Sequence, residues 1–165
     1  MTKVEQVYFF HGLESGPVGT KSLALEEHFQ VESPDFQGMD IWERLEKADE
    51  VTKGQRDLVV VGSSYGGLLT ALLYDRRPER FWGYVLMAPA LHLEAAEQLE
   101  AMAPPERAEV IHGVDDEVVP LEAVKEVCEG FGLGIKEVQD NHRLHGSLEA
   151  MVEATESLVV ARSER

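Results

Sequence analysis

Between Leu58 and Leu73 the chain reads "LVVVGSSYGGLLTALL", and no other stretch limits the fold so tightly. The run Leu58–Val61 has no polar alternation, so a strand formed there is covered on both faces, as strands of parallel sheets are. Glycines and serines follow, and an apolar run then resumes at helical spacing. A buried strand that passes through a tight turn into a helix is half of a β-α-β unit, and a parallel neighbour strand is its ordinary companion.

The rest of the chain repeats that alternation. Strand signals fall on "VEQVYFF" (Val4–Phe10), weakly on "QVESPD", and on "DLVVVG", "WGYVLMAPA", "RAEVIHG" and "GIKEVQ". Helical spacing falls on Thr20–Phe29 with Thr20 as N-cap, on Asp40–Val51 with Asp40 at its start, and on "GGLLTALLYDRRPE". It falls again on "HLEAAEQLEAM", on "PLEAVKEVCEGFG" with Pro120 in the first turn, and on "SLEAMVEATESLVVA". Six strands alternating with helices predict a three-layer α/β/α sandwich around a mostly parallel six-stranded sheet. With 165 residues, no internal repeat and no linker, one domain over 1–165 is expected.

Composition narrows the function. The formal net charge is −16, spread along the chain, and a field of that sign repels nucleic acid and anionic membrane surfaces. No apolar run reaches membrane-spanning length, and "MTKVEQVYFF" has no apolar leader core. Cys128 is the only cysteine and lies in a predicted helix, so no internal disulfide is expected and a buried small side chain is. The cytoplasm is the expected location.

In parallel sheets the functional loops follow the carboxyl ends of the strands. Those loops read "HGLESGPVG", "PDFQGMD", "GSSYGG", "APALH", "HGVDDEVVP" and "DNHRLHG", which gathers serines, acids and histidines on one edge. Gly62-Ser63-Ser64-Tyr65-Gly66 fits G-x-S-x-G with Ser64 at its centre. In such a turn the serine takes a strained backbone conformation that lifts its hydroxyl off the sheet edge, and only small residues fit two places either side. Ser63 is expected to point elsewhere and to hydrogen-bond the turn. A serine hydroxyl needs a base, and the base an orienting acid. In strand-turn-helix sites the order is serine, acid, histidine. Asp115 or Asp116 and then His142 or His145 follow in that order. A glycine-rich turn without chemistry, a solvated acidic turn and exposed loop histidines are the bland readings of the same residues.

These motifs together resemble the α/β-hydrolase superfamily, in particular small lid-poor serine esterases such as the YqiA-like group. The resemblance runs from "VYFFHGLESGPVGTKS" through "PDFQG", "GSSYGG" and "HGVDDEVVP" to "DNHRL". It implies Ser64 as nucleophile, Asp116 rather than Asp115 as acid and His142 rather than His145 as base. It also implies an oxyanion hole from the backbone N–H groups of Leu13 and Tyr65, an acyl-enzyme intermediate, and no metal or organic cofactor. Only "APALHLEAAEQLEAMAPPE" separates the fourth and fifth strands, one helix in place of a lid. The resulting open site is expected to have Leu13, Phe36, Tyr65, Leu91 and, as the weakest of them, Met102 near its walls. His11 and His112 are read as structural, His28 and His92 as surface or rim residues. The substrate expected is a small carboxyl ester or thioester. The alternatives are a peptidase or amidase on the same triad, a non-catalytic binding module on the same fold and, last, a nucleotide-binding protein, for which no glycine-rich fingerprint follows the first strand. No nucleic-acid or membrane partner is expected.

Overall fold

The computed structural model describes residues 5–165. Val4, the first residue of the expected opening strand, lies outside them. Six strands form one sheet in the order β2-β1-β3-β4-β5-β6, and every pairing is parallel. They are β1 (Gln6–Phe10), β2 (Gln30–Glu32), β3 (Leu58–Ser63), β4 (Phe81–Met87), β5 (Ala108–Gly113) and β6 (Lys136–Val138). The helices are α1 (Thr20–Glu26), α2 (Ile41–Val51), α3 (Tyr65–Arg76), α4 (Leu121–Gly130) and α5 (Leu148–Glu164).

Strand alternation divides the core between the faces of the sheet. Val7, Phe9, Val59, Val61 and Val85 pack with Leu25 of α1 and Met151, Leu158 and Val159 of α5. Tyr8, Phe10, Val60, Tyr84 and Leu86 pack on the opposite face with α2, α3 and α4. Each central strand therefore buries both of its faces, which is why Leu58–Val61 carries no polar residue. The order reverses between β1 and β3, since β2 pairs on the outer side of β1. The loops after β1 and β3 meet at that switch point, where such sheets hold their ligands.

Helix starts follow local chemistry. The Asp40 side chain accepts from the Glu43 N–H (2.9 Å), and Glu43 reaches back to the Asp40 N–H (3.2 Å). Such a cap stabilises a helix by about 1 kcal/mol. At α1 the cap position is Gly19, not Thr20 as expected; the Ser22 hydroxyl takes the Gly19 N–H at 2.8 Å, so the helix starts one residue earlier. Pro120 likewise stands at the cap of α4 rather than inside its first turn.

The expected helix over "HLEAAEQLEAM" does not form. Only a short 3-10 turn, Glu94–Gln98, is present. Beyond it the chain is tied down from outside: Asp75 accepts from the Glu100 and Ala101 N–H groups (3.0 and 2.9 Å), and the Tyr84 hydroxyl accepts from the Ala103 N–H (2.9 Å). Those partners satisfy backbone groups that a helix would have paired internally. No helix of the described residues is long and apolar enough to cross a membrane.

Candidate active site

Ser64 stands between the last residue of β3 and the first of α3, with φ 54° and ψ −112°. A non-glycine residue held there costs on the order of 1–3 kcal/mol, so its surroundings must hold it. They do: the Ser64 N–H donates to Met87 (2.8 Å), and its carbonyl accepts from Gly67 and Ala90 (2.9 Å each). The flanking glycines are required by contact. A Cβ on Gly62 would strike the Thr70 hydroxyl and the Gly66 carbonyl, and one on Gly66 would strike the Phe10 carbonyl. One on Gly67 would meet Pro89 at 2.8 Å.

The loops after β5 and β6 bring Asp116 and His142 to the turn. Ser64 Oγ lies 2.9 Å from His142 Nε2, and His142 Nδ1 lies 2.8 Å from Asp116 Oδ2. An ionised carboxylate only accepts, so Nδ1 carries the proton and Nε2 is free to accept from the Ser64 hydroxyl. The Asp116 side chain is fully buried, with Oδ1 accepting from the Val118 and Val119 N–H groups (2.8 Å each). His112, at the end of β5, donates from Nε2 to the Val119 carbonyl (2.9 Å) and lies 3.3 Å from Asp116 Oδ2. Its Nδ1 is buried with no partner among the described residues. Asp115 and His145 are both exposed on the cleft wall, outside this chain of hydrogen bonds.

The loop that carries His142 is fastened by Asp140. Its carboxylate accepts from the Asn141 N–H (2.8 Å), the Gly146 N–H (3.0 Å) and the Ser147 hydroxyl (2.8 Å). Burial pushes this carboxyl up, but the hydrogen bonds outweigh it and leave it below its ordinary value. Leu144, at φ 55°, plugs the loop into the core.

The first loop is fastened from beneath. His11 is buried; its Nδ1 donates to the Gly12 carbonyl (2.8 Å) and its Nε2 accepts from the Phe36 N–H (2.8 Å). Both ring nitrogens are thus in structural use, in agreement with the structural reading of His11. Burial, the largest influence, holds its pKa below the ordinary histidine value, and the Gly12 hydrogen bond opposes that only in part. Arg44 of α2, fully buried, donates to the carbonyls of Met39 (3.2 Å), His11 (2.8 Å) and Gly12 (3.1 Å). Its guanidinium also lies 4.8 Å from the centre of the Tyr65 ring. Sequence reasoning missed Arg44. An arginine among Ile41, Leu45 and Ala48 on the buried face of an amphipathic helix was the one signal available.

An open cleft runs over Ser64, bounded by Leu13, Tyr65, Leu93, Val118 and His92. Leu13 and Tyr65 border that cleft. Phe36 and Leu91 do not. Phe36 is fully buried, edge-on to Phe10 with ring centres 5.4 Å apart, and Leu91 is buried in the same core. Both follow strands on the correct edge, but their side chains turn down into the sheet layer. Met102 also packs against the core rather than the cleft. Ser63 borders the cleft, and its hydroxyl makes no hydrogen bond to the turn among the described residues, contrary to expectation. Among those residues no three His, Cys, Asp or Glu side chains are grouped to hold a metal ion.

No protein-family model matches the chain, and no curated protein does. Solved structures do. The chain is similar to a hydrolase of the alpha/beta superfamily from Xanthomonas campestris pv. campestris, with 24% identity, a TM-score of 0.78 and 98% of each chain covered. It is similar to Est1E from Butyrivibrio proteoclasticus, with 15% identity, a TM-score of 0.78, and 99% of this chain and 90% of that one covered. It is similar to the monoacylglycerol lipase of Paleococcus ferrophilus, with 16% identity, a TM-score of 0.64, and 92% and 94% covered. The parallel sheet, the strained serine at its switch point and these likenesses over nearly the whole chain agree: the protein has the fold of the α/β-hydrolase superfamily.

Proposed function

We propose that this protein is a serine hydrolase of small carboxyl esters or thioesters, acting through an acyl-enzyme. The observation that carries this reading is the unbroken hydrogen-bond chain from Ser64 Oγ through His142 to buried Asp116. His142 Nε2 takes the hydroxyl proton as Ser64 Oγ attacks the acyl carbon. Asp116 stabilises the imidazolium and holds the ring with Nδ1–H toward itself. The imidazolium then returns its proton to the leaving alkoxide or thiolate. Water repeats the sequence on the acyl-serine, with His142 again as base, and frees the acid. The N–H groups of Tyr65, at the start of α3, and of Leu13 face the charge that appears on the carbonyl oxygen. Such donors act on the transition state alone, and each is worth about 10²–10³ in rate.

The short segment after β4 leaves the cleft open, which favours small, soluble esters over long acyl chains. The name of one structural neighbour, a monoacylglycerol lipase, agrees with ester chemistry. The narrower likeness to the YqiA-like group rests on the motifs alone. The lone cysteine, buried Cys128 with its thiol pushed up to about 11, suits the proposed cytoplasmic location.

Phosphonylation by a fluorophosphonate probe tests the reading. Labelling of the wild type and none of Ser64→Ala is expected; an unlabelled wild type would leave a non-catalytic binding module. Rates on p-nitrophenyl esters of rising chain length, with thioesters and anilides alongside, then identify the bond. An anilide preference would make the protein an amidase.

A further inference from the structure

Arg44 is out of place by ordinary rules. It is a fully buried cation with no carboxylate in salt-bridge reach among the described residues, and an arginine so placed is costly to keep. What it touches is backbone, and two of its three acceptors are the consecutive carbonyls of His11 and Gly12. The Gly12 carbonyl receives more than its usual share. His11 Nδ1 donates to it at 2.8 Å, Arg44 Nη2 at 3.1 Å and Ser15 Oγ at 3.4 Å.

That carbonyl belongs to the same peptide unit as the N–H of Leu13. In a trans peptide the C=O and N–H point in opposite directions, and withdrawing electron density at oxygen makes the N–H a stronger donor. We propose that Arg44 is a positioning residue for the reaction: by holding the Gly12 carbonyl down from beneath, it aims and polarises the Leu13 N–H at the cleft. The inference rests on the reading of Leu13 as an oxyanion donor. The geometry fits that use. A Cβ on Gly12 would lie 3.7 Å from that of Ser64, so the peptide sits against the nucleophile, and the Leu13 side chain borders the cleft. The same guanidinium lies under the Tyr65 ring, whose residue supplies the second donor. A lysine would keep the charge but not the planar fork that reaches both carbonyls.

The test compares Arg44→Met and Arg44→Lys with the wild type on a short acyl ester and on two inhibitors. A trifluoromethyl ketone forms a hemiketal oxyanion on Ser64; the matching methyl ketone binds without the adduct. Arg44→Met should lower kcat about 10- to 100-fold, less than outright removal of a donor, and leave KM within about twofold. It should lose affinity for the trifluoromethyl ketone by the same factor as kcat and keep that for the methyl ketone. Arg44→Lys should fall between. A folded Arg44→Met with wild-type kcat, or one that loses both ketones equally, overturns the proposal while the triad reading stands. If neither variant folds, the Leu13 amide proton of the wild type decides: it should move downfield when the trifluoromethyl ketone adduct forms, and an unmoved signal overturns the proposal. A wild type that forms no adduct and takes no fluorophosphonate fails as a hydrolase, and this inference fails with it.

Discussion

The dipeptide His-Gly stands at the carboxyl ends of two strands, as His11-Gly12 just after β1 and as His112-Gly113, the last two residues of β5. Both histidines are buried and both glycines lead into the cleft loops. Their surroundings differ. His11 uses both nitrogens on backbone groups and holds a loop from within. His112 donates from Nε2 near the Asp116 carboxylate and leaves Nδ1 without a partner among the described residues. Gly12 has ordinary space around it, its nearest foreign atom lying 3.4 Å from a built Cβ, whereas one on Gly113 would strike the Asp140 carbonyl and meet the Asn141 carbonyl at 2.9 Å. One short motif thus braces the first cleft loop in one place and the loop of Asp116 in the other. The lesson is that a dipeptide's role is set by what packs over it, not by its letters.

The strongest attack on that division goes through the residues the second loop serves. Asp116→Asn should lower kcat by about 10⁴, since the imidazole would then lose its orienting carboxylate, while Asp115→Asn should cost only a few-fold. Equal losses from the two would show that the buried hydrogen-bond chain is not the working one. Gly113→Ala comes next. It forces the backbone of the Asp140–Asn141 turn to move, and overpacking of this kind costs about 1–3 kcal/mol. Gly12→Ala should stay within about 0.5 kcal/mol, a surface-like effect. Urea unfolding of the pair measures both, and equal midpoints would erase the contrast.

A smaller effect separates the histidines. His112→Leu leaves the Val119 carbonyl without its side-chain donor, at a cost of about 1–3 kcal/mol. It should also slow turnover modestly by removing a neighbour of Asp116. His11→Leu should cost as much in stability, because the buried Phe36 N–H loses its acceptor. The two variants then part in their pH dependence. Folded His11 has a lowered pKa, so as pH falls through about 6.5 the unfolded chain takes up a proton that the folded one does not. Arg44 and Lys47 press in the same direction, while Asp35 and the Gly12 carbonyl oppose it. The stability owed to neutral His11 is complete above that pH and is lost as pH falls toward the folded value. Thermal melts from pH 7.5 down to 5 should show this slope in the wild type and a shallower one in His11→Leu. An unchanged slope would remove the histidine from the account.

How much of this could be read beforehand divides along physical lines. The sheet was legible because burial on both faces leaves an uninterrupted apolar run at Leu58–Val61, and the elbow because a strained turn admits only glycine at its flanks. The pairs Asp115/Asp116 and His142/His145 were not separable by residue type. Adjacent loop positions differ only in the direction the backbone gives them, and Asp140 and Leu144 set that direction from outside the pattern. Phe36 and Leu91 went to the core for a related reason, since an apolar residue after a strand serves either wall or core. The absent helix after β4 was misread because propensity favoured it, while Asp75 and Tyr84, remote in sequence, supplied competing partners. Arg44 was hidden by the expectation that charge lies outside.

The sheet also sets a timetable. Ser64 follows β3, six residues long and paired on both sides, whereas His142 follows β6, three residues long and joined to β5 alone. Parallel strands meet only after their crossovers have closed, and an edge so short is among the first parts of a domain to open. The two ends of the Ser64–His142 hydrogen bond thus belong to a central strand and to a short edge strand. On refolding, activity should return after the central strands have formed, and under mild denaturant it should vanish before they part.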